Sequence, residues 1–288
     1  MDSVQPLLPP ELERAIFEMA AGLHPDAIPN MLLVAARVHE WIEPLRYRTF
    51  ILTDPASSCP RLRVLQRAIE SKPAQFIRDN VWHLFVEPNY PQDTLNTFIP
   101  FCTGVRSLVI FEPHTQMLSQ LETARPQRLA TPIEFFGHTE ESMPINLTLP
   151  MFSSLTHLDV FEPILAISPS WSSLAFLAAL THLAFLGTSY DVGVALLGMC
   201  HKLQVILSMR GGRSTDEWPM LSVSVDADDW EHRFVGMVLT TESYVSDWEA
   251  GLRGESDFWA RADAFVTMRR RGEIEPKSRY WIEDKDRI

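Results

Sequence analysis

The chain has 288 residues, 46% hydrophobic and 22% charged, an ordinary globular composition that can bury roughly three quarters of its unfolded surface without staples. Its 37 acidic residues outnumber 25 Lys plus Arg, for a formal charge of -12. A surface that negative repels phosphate backbones and argues against general binding of nucleic acid or anionic membranes. Cys59, Cys102 and Cys200 form no CxxC and no His pair stands at metal spacing, so the thiols read as buried in a reducing compartment. The start of the chain lacks a basic stretch before an apolar run, and no segment nears about 18 uninterrupted apolar residues. No signal peptide and no membrane span are expected, the sequon Asn146-Leu147-Thr148 carries no weight, and a cytoplasmic or nuclear location follows.

Residues 1–47 stand apart from the rest. Leu7-Leu8-Pro9-Pro10-Glu11-Leu12 places prolines and acids where a helix should begin, since proline's fixed φ suits the first turn and acids suit the positive end of the dipole. Leu12, Ala15, Ile16 and Met19 follow at helical spacing, flanked by Phe17. Asp26 is placed to cap a second helix bearing Ile28, Met31 and Leu32, and a third pattern runs Val34, Val38, Trp41, Ile42, Leu45. Three such short helices cannot bury all their apolar surface among themselves, so part of it falls to the body or to a partner.

These residues resemble the F-box family: Leu8-Pro9-Pro10-Glu11-Leu12, Ile16-Phe17, Leu32-Leu33-Val34 and Trp41, closing with Pro44-Leu45-Arg46-Tyr47. The family's Cys-Arg pair is Ala36-Arg37 here. The resemblance implies docking to the small linker protein of cullin-type ubiquitin ligases, with Pro9, Leu12, Ile16, Leu33, Val34 and Trp41 as contact residues. The bland alternative is that these residues cap the end of a repeat stack.

Residues 48–240 carry a period. The core apolar-x-x-apolar-x-apolar occurs at Val81-Leu84-Val86, Val105-Leu108-Ile110, Leu155-Leu158-Val160, Leu180-Leu183-Phe185 and Cys200-Leu203-Val205, with a weaker copy at Ala130-Ile133-Phe135. The central positions 84, 108, 133, 158, 183 and 203 are 24, 25, 25, 25 and 20 residues apart. Tyr47-x-x-Phe50-x-Leu52 fits a first strand with Leu62–Ile69 as its helix, and Leu95–Phe101 and Leu174–Leu180 fit helical returns. Such a period resembles the leucine-rich repeat, with Glu-Pro where the repeat's Asn normally stands. The expected fold is therefore α/β: a short helical F-box-like motif, an irregular leucine-rich-repeat solenoid with a mostly parallel sheet, and a C-terminal helical segment over 241–288. Together with Asp247-Trp248, Asp257-Phe258-Trp259 and Arg269-Arg270-Arg271-Gly272 near the C-terminus, the chain resembles the F-box-like proteins with degenerate repeats of mushroom-forming fungi.

Because strand side chains alternate, the positions between the apolar ones should face the concave surface. One expected column is Phe111, Phe136, Phe161 and Leu186, another Ser107, Pro132, His157 and His182. With Glu134 and Asp159 these make Phe111, Glu134, Phe136, His157, Asp159, Phe161 and His182 the candidate contacts for a target protein. The competing expectation is that the C-terminal segment, with Trp248, Leu252, Phe258, Trp259, Ala262 and Phe265 at helical spacing, lies on that face.

Three functional readings follow. The first is a non-enzymatic adaptor without cofactor or metal, docking the ligase linker through its N-terminus and an unidentified target through its body. The second is a free scaffold with a vestigial docking motif. The third is an enzyme built on the His/Asp/Glu group of the concave face; no GxSxG, HExxH, GxxxxGK or GxGxxG motif supports it. Arg210-Gly211-Gly212-Arg213 reads as a turn, and Asp226, Asp228, Asp229 and Glu231 as a solvated loop.

Overall fold

The computed structural model describes residues 8–53, 58–88, 90–114, 116–132, 136, 147–163, 169–211, 231–286 and 288. Three helices lead: α1 (Pro10–Leu23), α2 (Ile28–Met31) and α3 (Ala36–Ile42). Pro9 caps α1 and Glu11 and Glu13 occupy its first turn, as the dipole favours. Asp26 does not cap α2; it sits in the 3-10 turn Pro25–Ala27, and α2 is a four-residue turn behind Ala27.

Eight strands follow: β1 (Thr49–Leu52), β2 (His83–Val86), β3 (Ser107–Ile110), β4 (Arg128–Thr131), β5 (His157–Val160), β6 (His182–Leu186), β7 (Val205–Arg210) and β8 (Phe234–Val238). They form one parallel sheet in chain order. Between them run α4 (Pro60–Ser71), α5 (Ala74–Asn80), α6 (Gln92–Asn96), α7 (Met117–Gln120), α8 (Tyr190–Met199) and several 3-10 turns. The helical returns expected at 95–101 and 174–180 appear as α6 with the 3-10 turn Ile99–Phe101, and as the 3-10 run Pro169–Phe176.

Register explains why the apolar spacing was readable. Phe50, Leu84, Leu108, Leu129, Leu158, Leu183, Ile206 and Phe234 stand opposite one another strand after strand. All eight point into the main core, against Leu62, Leu65 and Ile77 of the first returns and Phe152, Leu174 and Leu196 of the later ones. Two expected repeats are shifted. The fourth strand centres on Leu129, four positions before Ile133, which lies with Phe135 outside the described residues. The seventh centres on Ile206; Leu203 is buried just ahead of the strand.

The second face of the sheet is also covered. Ile51, Phe85, Val109, Ala130, Ala184, Val205, Leu207 and Val235 pack under α9 (Thr241–Leu252) and α10 (Phe258–Arg270), through Tyr244, Trp248, Phe258, Trp259, Ala262 and Phe265. Burial on both faces is the normal condition of a parallel sheet. Thr240 and Ser243 close a capping box on α9, and the Asp257 carboxylate caps α10 by accepting from the Ala260 amide at 2.8 Å. The chain then returns to the last strand: the Gly236 amide donates to the Tyr280 carbonyl at 2.6 Å and the Ile282 amide to the Gly236 carbonyl at 2.9 Å. That bridge shields an edge that would otherwise invite pairing. No helix among the described residues is long and apolar enough to cross a membrane.

Candidate docking surface

The N-terminal helices have a core of their own: Ala21, Ile28, Leu32, Val38 and Ile42, with Phe17, Met31, Ala35, Trp41 and Leu45 packed around it. Arg37 fixes α3 to α1 by donating from Nη2 and Nε to both Glu13 carboxylate oxygens, at 2.7 and 2.9 Å. That fork holds the Glu13 carboxyl below, and the Arg37 guanidinium above, their ordinary ranges.

With Phe17 and Ala21 turned inward, the opposite side of α1 is left bare. Leu12, Ile16, Met19 and Leu23 follow one another at three- and four-residue steps, so they form a single stripe, and Leu8 is exposed just ahead of the helix. Leu33 and Val34, in the turn after α2, are also exposed; Leu33 is 84% accessible. Singly exposed apolar residues need no explanation, whereas a stripe along α1 with a further exposed pair in the turn after α2 does. Of the residues expected at this surface, Pro9, Leu12, Ile16, Leu33 and Val34 are exposed, while Trp41 is half-buried against the small core. Met19 and Leu23 complete the stripe. Their signal was present in the sequence, since they continue the spacing Leu12–Ile16 by helical steps.

The inner face of the sheet differs from its expected reading. Phe111 and Phe161 are half-buried and stack directly, with ring centres 4.4 Å apart and planes at 4°. Phe136 does not lie between them; it is buried in the main core against Phe152. The cause is the earlier start of β4, which puts Arg128 between Ser107 and His157 where Pro132 was expected. Glu134 lies outside the described residues, as do Asp226, Asp228 and Asp229.

His157 and His182 stack at 4.2 Å with planes at 9°, and the edge of each ring meets Trp259. Their Nδ1 atoms pair with the Thr156 and Thr181 hydroxyls at 2.9 and 2.8 Å, and His182 Nε2 reaches Asp263 at 3.2 Å. Asp159 is buried and accepts from the Tyr244 hydroxyl at 2.6 Å. Trp248 Nε1 donates to Ser107 Oγ at 3.0 Å, and Arg128 Nη1 to Asp257 Oδ2 at 2.9 Å. Most of these polar groups are thus spent on α9 or α10, or on their own strand, while Asp159 Oδ1 and His83 Nδ1 are buried without a hydrogen-bond partner among the described residues. No hydrogen bond among the described residues joins Asp159 to either histidine; its bond runs to Tyr244. Among the described residues, no three His, Cys, Asp or Glu are placed to hold a metal ion.

Burial pushes the Asp159 carboxyl up from 3.8 to about 7, and burial, with His182 and Arg128 nearby, pushes His157 down from 6.5 to about 2. The folded protein therefore keeps a proton on Asp159 that the unfolded chain releases near 3.8, so this residue's contribution falls as pH rises from 3.8 to about 7. His157 acts in the opposite sense, its contribution falling as pH drops below 6.5. Asp159→Asn removes only the first. The difference in urea midpoint between variant and wild type is expected to move in the variant's favour between pH 4 and pH 7 (roughly the span of the two titrations). A pH-independent difference contradicts the assignment.

Comparison of the chain with protein-family models, with curated proteins and with solved structures returns no match.

Proposed function

We propose that the chain is a non-enzymatic substrate adaptor, with residues 7–47 as an F-box-like head that docks the linker protein of a cullin-type ubiquitin ligase. The body is read as an irregular leucine-rich-repeat solenoid that captures a target protein. One observation carries the reading: α1 and the α2–α3 turn leave Leu12, Ile16, Met19, Leu23, Leu33 and Val34 bare while a second set of side chains already fills the head's own core. A stripe left over after internal packing is available to a partner, and it includes most of the residues that the F-box resemblance assigns to docking. Because α9 and α10 occupy the sheet's inner face, capture of a target falls to the rims and to the outer returns.

The covered inner face also favours a second reading, a scaffold whose docking head has lost its partner. Co-purification of the full chain with the linker separates the two. Leu12→Asp with Leu33→Asp changes only exposed positions, so folding should survive, and linker affinity is expected to drop by at least ~30-fold, the loss of about 2 kcal/mol at a buried apolar anchor. Unchanged binding, or no binding by the wild type, leaves the scaffold reading standing.

A further inference from the structure

The N-terminal rim of the sheet holds a polar column that neither the head nor the covered face uses. Each rim carbonyl accepts from two successive amides of the next strand: Arg48 O from Trp82 and His83 at 3.0 and 2.9 Å, Trp82 O from Arg106 and Ser107 at 2.7 and 3.0 Å. This forked ladder puts Arg48, Trp82 and Arg106 in register on three neighbouring strands. The Arg48 guanidinium lies 4.2 Å from the centre of the Trp82 ring and that of Arg106 3.8 Å from it. They come from the strands on either side, so the indole is held between two cations. Trp82 Nε1 donates to the Asp79 carbonyl at 2.7 Å, which fixes the ring.

Both arginines are exposed, and neither guanidinium has a hydrogen-bond or ion-pair partner among the described residues. Glu18, the acid whose charge Arg48 feels, is itself bonded to Arg14 at 2.8 Å. Next to the column, His83 carries a buried Nδ1 without a partner, and burial with the charges of Arg106, Arg48 and Arg128 pushes this ring down to about 4. Three cations therefore converge on one corner of a chain whose formal charge is -12. Of them only Arg128 is hydrogen-bonded to an acid among the described residues, Asp257. Stacking on an indole stiffens a guanidinium and leaves its N–H edge free to fork onto oxygens.

We propose that Arg48 and Arg106, spaced by Trp82, form a receptor for a phosphate monoester. Because the indole stands between the two guanidiniums, each presents an N–H edge past the rim of the ring, and a tetrahedral dianion with three terminal oxygens can accept from both edges, whereas one fork satisfies a planar carboxylate. The ligand is a single compact phosphate and not a nucleic acid: both faces of Trp82 are occupied, leaving none for a base to stack on, and the negative body repels a polyanion. The monoester can come from a phosphorylated side chain of a protein or from a small metabolite.

Titration of the full chain with inorganic phosphate, O-phosphoserine and a phosphoserine peptide, read by tryptophan fluorescence and calorimetry, tests this. Saturable binding is expected for all three, weakening as salt rises. Tighter binding of the peptide than of O-phosphoserine identifies a protein source, and equal affinity a small-molecule source. Arg48→Gln with Arg106→Gln should lower affinity at least ~10-fold, and Arg106→Lys should lose most of what Arg106→Gln loses, because an ammonium cannot fork. Arg270→Gln, on the exposed last turn of α10, is the control for a general charge effect. Absence of saturable binding by wild type, or equal losses in the Arg270 control and the rim variants at unchanged melting temperature, overturns the proposal.

Discussion

Replacing Trp248 with alanine should cost about 3–5 kcal/mol of folding free energy, the usual range for deleting a buried aromatic. Trp248 is 4% exposed, packs its ring 5.3 Å from that of Phe85, and satisfies the buried Ser107 hydroxyl through its indole N–H. The variant loses the ring's transfer energy, opens a void beneath α9, and orphans Ser107. Urea unfolding measures the change. A dye that reports bare apolar surface should bind the variant more strongly, because Phe85 and Val109 lie beneath this helix. A loss below about 1 kcal/mol would mean that α9 barely rests on the sheet, contrary to the burial of its aromatic side chains.

Gly104→Ala is expected to do comparable or greater harm for a different reason. A Cβ at this position falls 1.7 Å from the carbonyl oxygen of Arg78 and 2.7 Å from its carbonyl carbon. The obstacle is backbone at the end of α5, just ahead of β2, so no rotamer relieves it and the turn before β3 has to separate from the helix. Overpacking that moves backbone costs on the order of 3 kcal/mol or more. Gly22→Ala supplies the contrast. It lies in α1 with nothing within 4 Å of the added methyl, and should stabilise by roughly 0.4–1 kcal/mol through the unfolded chain. Soluble yield and urea midpoints of the two variants test the pair, and similar behaviour of both would falsify the steric account.

Much of the sheet was legible because its inward row is aliphatic and evenly spaced. Phe50, Leu84, Leu108, Leu158 and Leu183 all stand where the apolar spacing placed them. β4 and β7 were misplaced for one physical reason. Around Leu129 and Ile206 both faces of the strand are apolar, as Ala130, Val205 and Leu207 show, so alternation no longer tells which parity points inward. β8 was not read at all; Phe234, Val235 and Met237 are buried on both sides and Gly236 interrupts the pattern. The helical spacing of Trp248, Phe258, Trp259 and Phe265 was visible. Spacing shows that a helix has a face to bury but not which surface receives it, which is why the inner face stayed open between a recognition surface and a covered one.

The head was legible for the opposite reason. Prolines and acids at a helix start act locally, and α1 begins where they place it. The outward stripe was only half seen, because a helix with two apolar sides gives no sequence signal for which side its neighbours take. Phe17 and Ala21 turn toward α3, and Leu12, Ile16 and Met19 do not.

The covered inner face has a consequence for how the molecule is made. Neighbouring strands pair with their immediate predecessors, so the sheet can grow turn by turn as the polypeptide leaves the ribosome. Trp248 meets Ser107 only across 141 positions of chain, and Tyr244 meets Asp159 across 85. Until α10 has been synthesised, the growing sheet displays Phe85, Val109, Ala184 and Leu207 to water or to a chaperone. Premature termination before Trp248 therefore leaves a nascent product with the sticky underside of its sheet uncovered, and aggregation is its expected fate.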